Sequence, residues 1–126
     1  MKLLLDTHAF LWWCADDPRL GTQERDAIRD GGNDVFLSAA SAWEMAIKQS
    51  LGRLKLPERP SSAVERLGIT PLAVSLQHAE ALLRIAPLHR DPFDRLLVAQ
   101  AMLEGLTLVT HDPLVRAYPG VAFLPV

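Results

Sequence analysis

With 126 residues, 49% of them hydrophobic and 22% charged, the chain has apolar material for one real core and too little length for a second domain. A net charge of −2 excludes a domain that holds nucleic acid by bulk positive charge, so a metal or a local cationic patch must meet any such partner. The single cysteine, Cys14, excludes an internal disulfide and has no nearby Cys or His at zinc-ligand spacing, which suits a reducing, cytoplasmic setting. Asp6 and His8 interrupt the apolar start before it is long enough for a signal peptide. No other stretch reaches the roughly 18 apolar residues of a membrane span, so a soluble protein without membrane contact is expected.

Lys2 to Leu5 reads as a short buried strand stopped by Asp6, and His8 to Ala15 is apolar enough for a helix, broken by Asp17-Pro18 and Gly21. Thr22 caps a polar helix through Arg29, Gly31-Gly32 ends it, and Asp34 to Ser38 is a second strand. The long helix that follows closes at Gly52. Its Trp43, Ala46, Ile47 and Leu51 recur at three and four, with Ser50 the exception, and are expected to face the core. Arg53 to Pro60 is a connector, Ser61 to Leu67 a short helix, and Ile69 to Val74 a strand. Ser75 to Ile85 reads as a helix with Ala79, Leu82 and Leu83 inward, and Pro87 to Arg90 as loop. Asp91-Pro92 starts a helix that runs to Gly105, with Asp91 as its N-cap. Leu106 to Val109 is a strand, Asp112-Pro113 opens a last short helix, and Val121 to Leu124 is a final strand. This alternation, without internal repeats, predicts one α/β domain over residues 1–126, a parallel sheet with helices on both faces and right-handed crossovers.

Three of these strands end in polar residues, at Asp6-Thr7, at Ser38 and at Thr110-His111-Asp112. In an open α/β sheet the ligand crevice lies beyond the carboxyl ends of the strands. Glu44, one turn into the long helix, and Asp94, in the first turn after Asp91-Pro92, are expected to face the same crevice, so four acids converge. Two like charges about 4 Å apart repel by roughly 4 kcal/mol at an effective dielectric near 20. Some of the acids must therefore be protonated, or a cation sits among them. Oxygen-only donors suit Mg²⁺ or Mn²⁺, and the chemistry such a site favours is phosphodiester cleavage.

Each acid also has a purely structural reading. Asp112 before Pro113 is a good N-cap, and Asp6 caps the next segment at best. Glu44 lies three residues after Ser41, as in a capping box, and four before Lys48, as in a helical ion pair. Asp94 sits where the helix dipole favours acids, yet it also continues the apolar stripe Leu97, Val98, Ala101. His8, His78, His89 and His111 have no catalytic spacing with a serine or cysteine and read as structural or surface residues. Phe10 to Trp13 read as core rather than a base-stacking surface, with the outward members open to a partner.

Leu3-Leu4-Leu5-Asp6-Thr7-His8, Ser38-Ala39-Ala40-Ser41-Ala42-Trp43-Glu44, the run Asp91-Pro92-Phe93-Asp94-Arg95-Leu96-Leu97-Val98-Ala99-Gln100-Ala101 and Leu108-Val109-Thr110-His111-Asp112 together resemble a PIN domain, specifically the VapC-type toxins. The four motifs fall in the family's order across almost the whole chain. The resemblance implies a PIN-like three-layer sandwich and an endoribonuclease. It also implies that Asp6, Glu44, Asp94 and Asp112 hold one or two Mg²⁺, or Mn²⁺, with Asp6 and Asp94 the more direct ligands. It gives Thr7, Ser38 and Thr110 the orienting of carboxylates or waters, and Arg95, Lys48 and Arg90 contact with substrate phosphates. Water would attack an RNA phosphodiester in line, leaving a 5′-phosphate and a 3′-hydroxyl. The partners it implies are a second copy of the chain and an antitoxin whose tail covers the acids, with Trp12 or Trp13 lining the groove for its apolar residues. A nuclease acting on DNA, and a non-catalytic module whose acids only cap helices, are the readings that compete with it.

Overall fold

The computed structural model describes residues 1–126. In chain order its elements are β1 (Lys2–Leu5), α1 (Thr7–Cys14), α2 (Thr22–Arg29), β2 (Asp34–Ser38), α3 (Ala39–Ser50), α4 (Pro60–Leu67), β3 (Thr70–Leu72) and α5 (Leu76–Glu80). A 3₁₀ turn at Ala81–Arg84 follows, then α6 (Pro92–Glu104), β4 (Thr107–Val109), α7 (Pro113–Arg116) and β5 (Ala122–Leu124). No helix is long and apolar enough to cross a membrane.

Leu3, Leu4 and Leu5 make β1 apolar on both faces, which suits only a strand covered on both sides, and all three are wholly buried. β1 accordingly sits at the centre of a five-stranded parallel sheet ordered β3-β2-β1-β4-β5. Leu4 lies opposite Phe36 on β2 and Leu108 on β4. Alternation along the strand sends Leu3 and Leu5 to one face, with Phe10, Ile28, Met45 and Val64 of α1 to α4. It sends Leu4 to the other, with Leu97, Val98 and Ala101 of α6 and Val115 of α7. The result is the expected three-layer sandwich. Pro71 is tolerated in β3 because that strand is an edge, hydrogen-bonded only to β2.

Two helices turn differently from the expectation. In α3 the buried residues are Ala40, Ser41 and Met45, while Trp43, Ala46, Ile47 and Leu51 lie outside. Two stripes a turn apart both satisfy helical periodicity, and tertiary contact selected the less apolar one, leaving Trp43 63% exposed. The segment from Ser75 breaks into α5 and the 3₁₀ turn; His78 and Ala81 are buried there, Ala79 and Leu83 exposed and Leu82 half-buried. His78 takes the inward place because its ring can bond at both nitrogens, to the Ser75 N–H at 3.0 Å and to Glu104 at 2.8 Å.

Truncating Leu4 removes packing between the sheet and α6. Leu4→Ala is expected to lower unfolding free energy by about 2–5 kcal/mol, read from the midpoint of a denaturant titration.

Candidate metal centre

The strand order reverses direction at β1, whose neighbours β2 and β4 belong to opposite halves of the sheet, and a crevice opens there at the carboxyl ends. Asp6 leaves β1 into this crevice. Its backbone N–H bonds the Val109 carbonyl at 3.1 Å, and its Oδ1 accepts the Ala9 N–H at 2.8 Å, so it is also the N-cap of α1. Burial pushes the Asp6 carboxyl above the usual range, against the opposing effects of the Thr110 hydroxyl, the Ala9 N–H and the charges of His8 and His111.

Glu44 reaches the crevice from α3. The Thr7 hydroxyl donates to its Oε1 at 2.6 Å, and Lys48 Nζ lies 3.2 Å from its Oε2. The capping box with Ser41 does not form. α3 is capped instead by Ser38, whose hydroxyl accepts the Ala40 N–H at 3.0 Å, and Ser41 lies inside the helix with its buried hydroxyl unpartnered. Asp91 caps α6 as expected, accepting the Phe93 and Asp94 N–H groups at 2.9 and 3.3 Å. That leaves Asp94 in the first turn with no capping duty. Asp112 caps α7 by accepting the Leu114 N–H at 2.9 Å, while its own N–H bonds the Thr110 hydroxyl oxygen at 3.1 Å.

Asp6, Glu44, Asp94 and Asp112 line one cavity of 260 Å³, together with Thr7, His8, Trp12, Lys48, His89, Asp91 and His111. Ser38 and Thr110 are wholly buried and do not line it. Thr110 still touches the acids from behind, through Asp6 and the Asp112 N–H. Arg95 turns away and donates to the Leu82 carbonyl at 3.2 Å, and exposed Arg90 is not in the lining either. Three histidines that read as structural or surface residues stand at the site instead. His89 Nε2 lies 3.0 Å from Asp94 Oδ2 and hydrogen bonds Asp112 Oδ2 at 3.3 Å. His111 Nε2 meets the buried Glu24 at 2.6 Å, and His8 lies on the rim. Neither His89 nor Glu24 carries a sequence signal for these contacts: Glu24 meets His111 from the far end of the chain, and His89 touches nearby Asp94 and the more distant Asp112 together.

Beside the acids lies a larger groove of 460 Å³, floored by Leu11, Leu54 and Leu56 and edged by Arg53 and Lys55. Thr7, His8, Trp12 and Lys48 line both it and the acid cavity.

A family model described as PIN domain matches residues 3–120. The chain belongs to the PIN-domain family. Its relatives include Ribonuclease VapC22 of Mycobacterium tuberculosis, 31% identical over 92% of this chain and 91% of that one. Ribonuclease VapC16 of the same organism is 42% identical over 48% of this chain and 49% of that one. Among solved structures, the VapBC2 complex of Rickettsia felis bound to a promoter DNA fragment superposes with a TM-score of 0.71, at 15% identity, covering 98% of this chain and 97% of that one. The DNA-bound VapBC of Salmonella typhimurium gives 0.68 at 19% identity, covering 98% of this chain and 96% of that one.

In this PIN domain the charge at the crevice is out of balance. The Asp94 carboxyl is pushed up to about 7, first by burial and then by repulsion from Asp91, Asp6 and Glu44, with His89 opposing. An all-oxygen set of carboxylate donors in a cavity this size, with one acid driven toward protonation by burial and by its neighbours, fits a hard divalent cation.

A carboxyl raised in the folded state binds its proton more tightly there than in the unfolded chain. Its effect is stabilising while both states are protonated or only the folded one is, and it is lost as pH rises through the folded value of about 7. Metal-free protein is therefore expected to melt at lower temperature at about pH 8 than at about pH 5. Mn²⁺ should restore the loss, and Asp94→Asn should flatten the slope; scanning calorimetry with and without chelator reads both.

Proposed function

We propose that this chain is an Mg²⁺-dependent endoribonuclease, Mn²⁺ being an alternative, and the toxin of a toxin–antitoxin pair, with Asp6, Glu44, Asp94 and Asp112 as its metal-holding acids. The observation that carries the reading is the convergence of these four carboxylates in one cavity, from four separate segments, in a PIN domain whose relatives are named ribonucleases. Helix capping accounts for Asp6, Asp91 and Asp112, but Glu44 and Asp94 cap nothing and still point inward. That difference favours the site over a non-catalytic module.

A divalent ion held by Asp6, Glu44, Asp94 and Asp112 would supply a more acidic water and a counter-charge for the phosphate. The chain's own contribution is position. Asp6 is held by the end of β1 and the start of α1, and Glu44 is clamped between the Thr7 hydroxyl and Lys48. Asp94 is carried on the rigid first turn of α6. Removing Asp94's charge is expected to reduce cleavage by at least about a thousandfold while the fold persists. The assay is cleavage mapping on total cellular RNA with and without chelator, which also reads the 5′-phosphate ends. Cutting of duplex DNA in its place would assign the chain to the competing nuclease class, and unchanged cleavage by Asp94→Asn would remove the site assignment.

Arg95 and Arg90 stand away from the cavity, so other cations are proposed to meet the substrate phosphates. Lys48 stands at the cavity but is paired with Glu44, and of the cations lining the groove Arg19 and Arg66 are tied to Asp17 and Glu58, which leaves Arg53 and Lys55 without an acidic partner. This supports a single-stranded RNA path from the acids into the groove, which supplies the local positive patch that the acidic chain otherwise lacks. Charge reversal of Arg53 and Lys55 together is expected to raise KM about tenfold and flatten its salt dependence, with kcat little changed.

The antitoxin reading is supported by neighbours that are VapBC complexes and by the apolar floor of the same groove. Trp12 lines it. Trp13 does not, being packed against the core with Arg29 over its ring. Unchanged antitoxin affinity in Trp12→Ala would remove that contact. For the second copy of the chain, the exposed stripe of Trp43 and Ile47 on α3 with Leu51 at its C-cap offers an apolar face.

A further inference from the structure

We infer that His89 is a positioning residue, which sets Asp94 and Asp112 at a fixed spacing through its Nε2–H. The inference rests on the metal-site reading above. Asp94 and Asp112 come from the first turn of α6 and the N-cap of α7, and no backbone ladder ties these two carboxylates together. His89 is the side chain that touches both, with Nε2 at 3.0 Å from one Oδ2 and 3.3 Å from the other. It is itself largely buried and anchored at two points. The side chain is 13% exposed, its backbone N–H bonds the hydroxyl of buried Tyr118 at 3.2 Å, and its Nδ1 accepts the Asp91 N–H at 3.3 Å.

The Nδ1 contact decides what the ring does. A backbone amide is only a donor, so Nδ1 must present its lone pair and the ring proton sits on Nε2. The reverse tautomer would lose the Asp91 bond and set a bare lone pair against two carboxylates. His89, Asp94 and Asp112 bring one ligand atom each within 4.8 Å of one another, which by distance alone resembles a mixed nitrogen and oxygen metal site. The polarity is wrong for it. A metal-bound histidine gives its second ring N–H to an acceptor, whereas here the second nitrogen meets a donor. The N–H therefore serves the carboxylates from the side. It draws one oxygen of each toward a common point and lowers the repulsion between two groups that would otherwise spread apart before an ion arrives. A small cation that demands near-octahedral ligands is sensitive to such an arrangement.

The experiment is a calorimetric Mn²⁺ titration of the whole chain as wild type, His89→Ala and His89→Gln, with pulsed electron paramagnetic resonance of the Mn²⁺ bound to wild type. His89→Ala is expected to bind Mn²⁺ ten- to a hundredfold more weakly, a loss typical of removing a group that orients a ligand, and His89→Gln, whose amide N–H reaches the same place, within about threefold of wild type. The wild-type spectrum should show no nitrogen hyperfine coupling. Imidazole coupling in that spectrum would make His89 a ligand and overturn the inference. Equal or tighter binding by His89→Ala would overturn it too, as would His89→Gln binding no better than His89→Ala. A flat wild-type isotherm would instead remove the metal site itself, an outcome separable from the others because it needs no variant.

Discussion

Negative charge confined to a small space is the constraint on which the rest of this molecule depends. A pair of carboxylates about 4 Å apart costs roughly 4 kcal/mol at an effective dielectric near 20, and a domain this size has only about 5–15 kcal/mol of net stability. The fold meets the cost by giving its acids second duties. Asp6, Asp91 and Asp112 each accept backbone N–H groups at the start of a helix, where the dipole favours an anion. Glu44 takes a hydroxyl and an ammonium. Asp94, with no cap to make, carries the imbalance, and its carboxyl rises to about 7.

That arrangement is possible because β1 is apolar on both faces. A strand of Leu3, Leu4 and Leu5 is forced to the middle of the sheet, and being central it puts Asp6 at the point where the chain's two halves diverge. β2 and β4 flank it, so α3, α6 and α7 all begin or pass near Asp6 and can each deliver one acid. The helices that complete the site are the same ones that cover the sheet, on one face through Met45 and on the other through Leu97 and Val115. Core and site are thus positioned by the same contacts.

The crevice and the neighbouring groove have opposite character. Acids line the first; an apolar floor with Arg53 and Lys55 at its edge forms the second, and Thr7, His8, Trp12 and Lys48 belong to both. The two therefore share one wall. In a chain of net charge −2, cations gathered beside the acids matter more than the overall balance, because fields at this range are local.

Residues alone determined the alternation of strands and helices, the central all-leucine strand, the two Asp-Pro helix starts and the candidate acids at strand ends and first turns. Each of these is local: a period, a cap or a breaker acts within a few residues. Tertiary structure decided which of two helical stripes on α3 would be buried, that Arg95 would turn to the Leu82 carbonyl and that Ser38 would cap α3 rather than face the cavity. It also decided that His89 would join the site and that buried Glu24 would hold His111 beside it. Some of those outcomes depend on partners far apart in the chain, as for Glu24 with His111 and His89 with Asp112; others, such as the Ser38 cap and the turn of Arg95, depend on which way the packed element presents its side chains. Periodicity places a side chain on a face of its own helix, but only packing decides what that face meets.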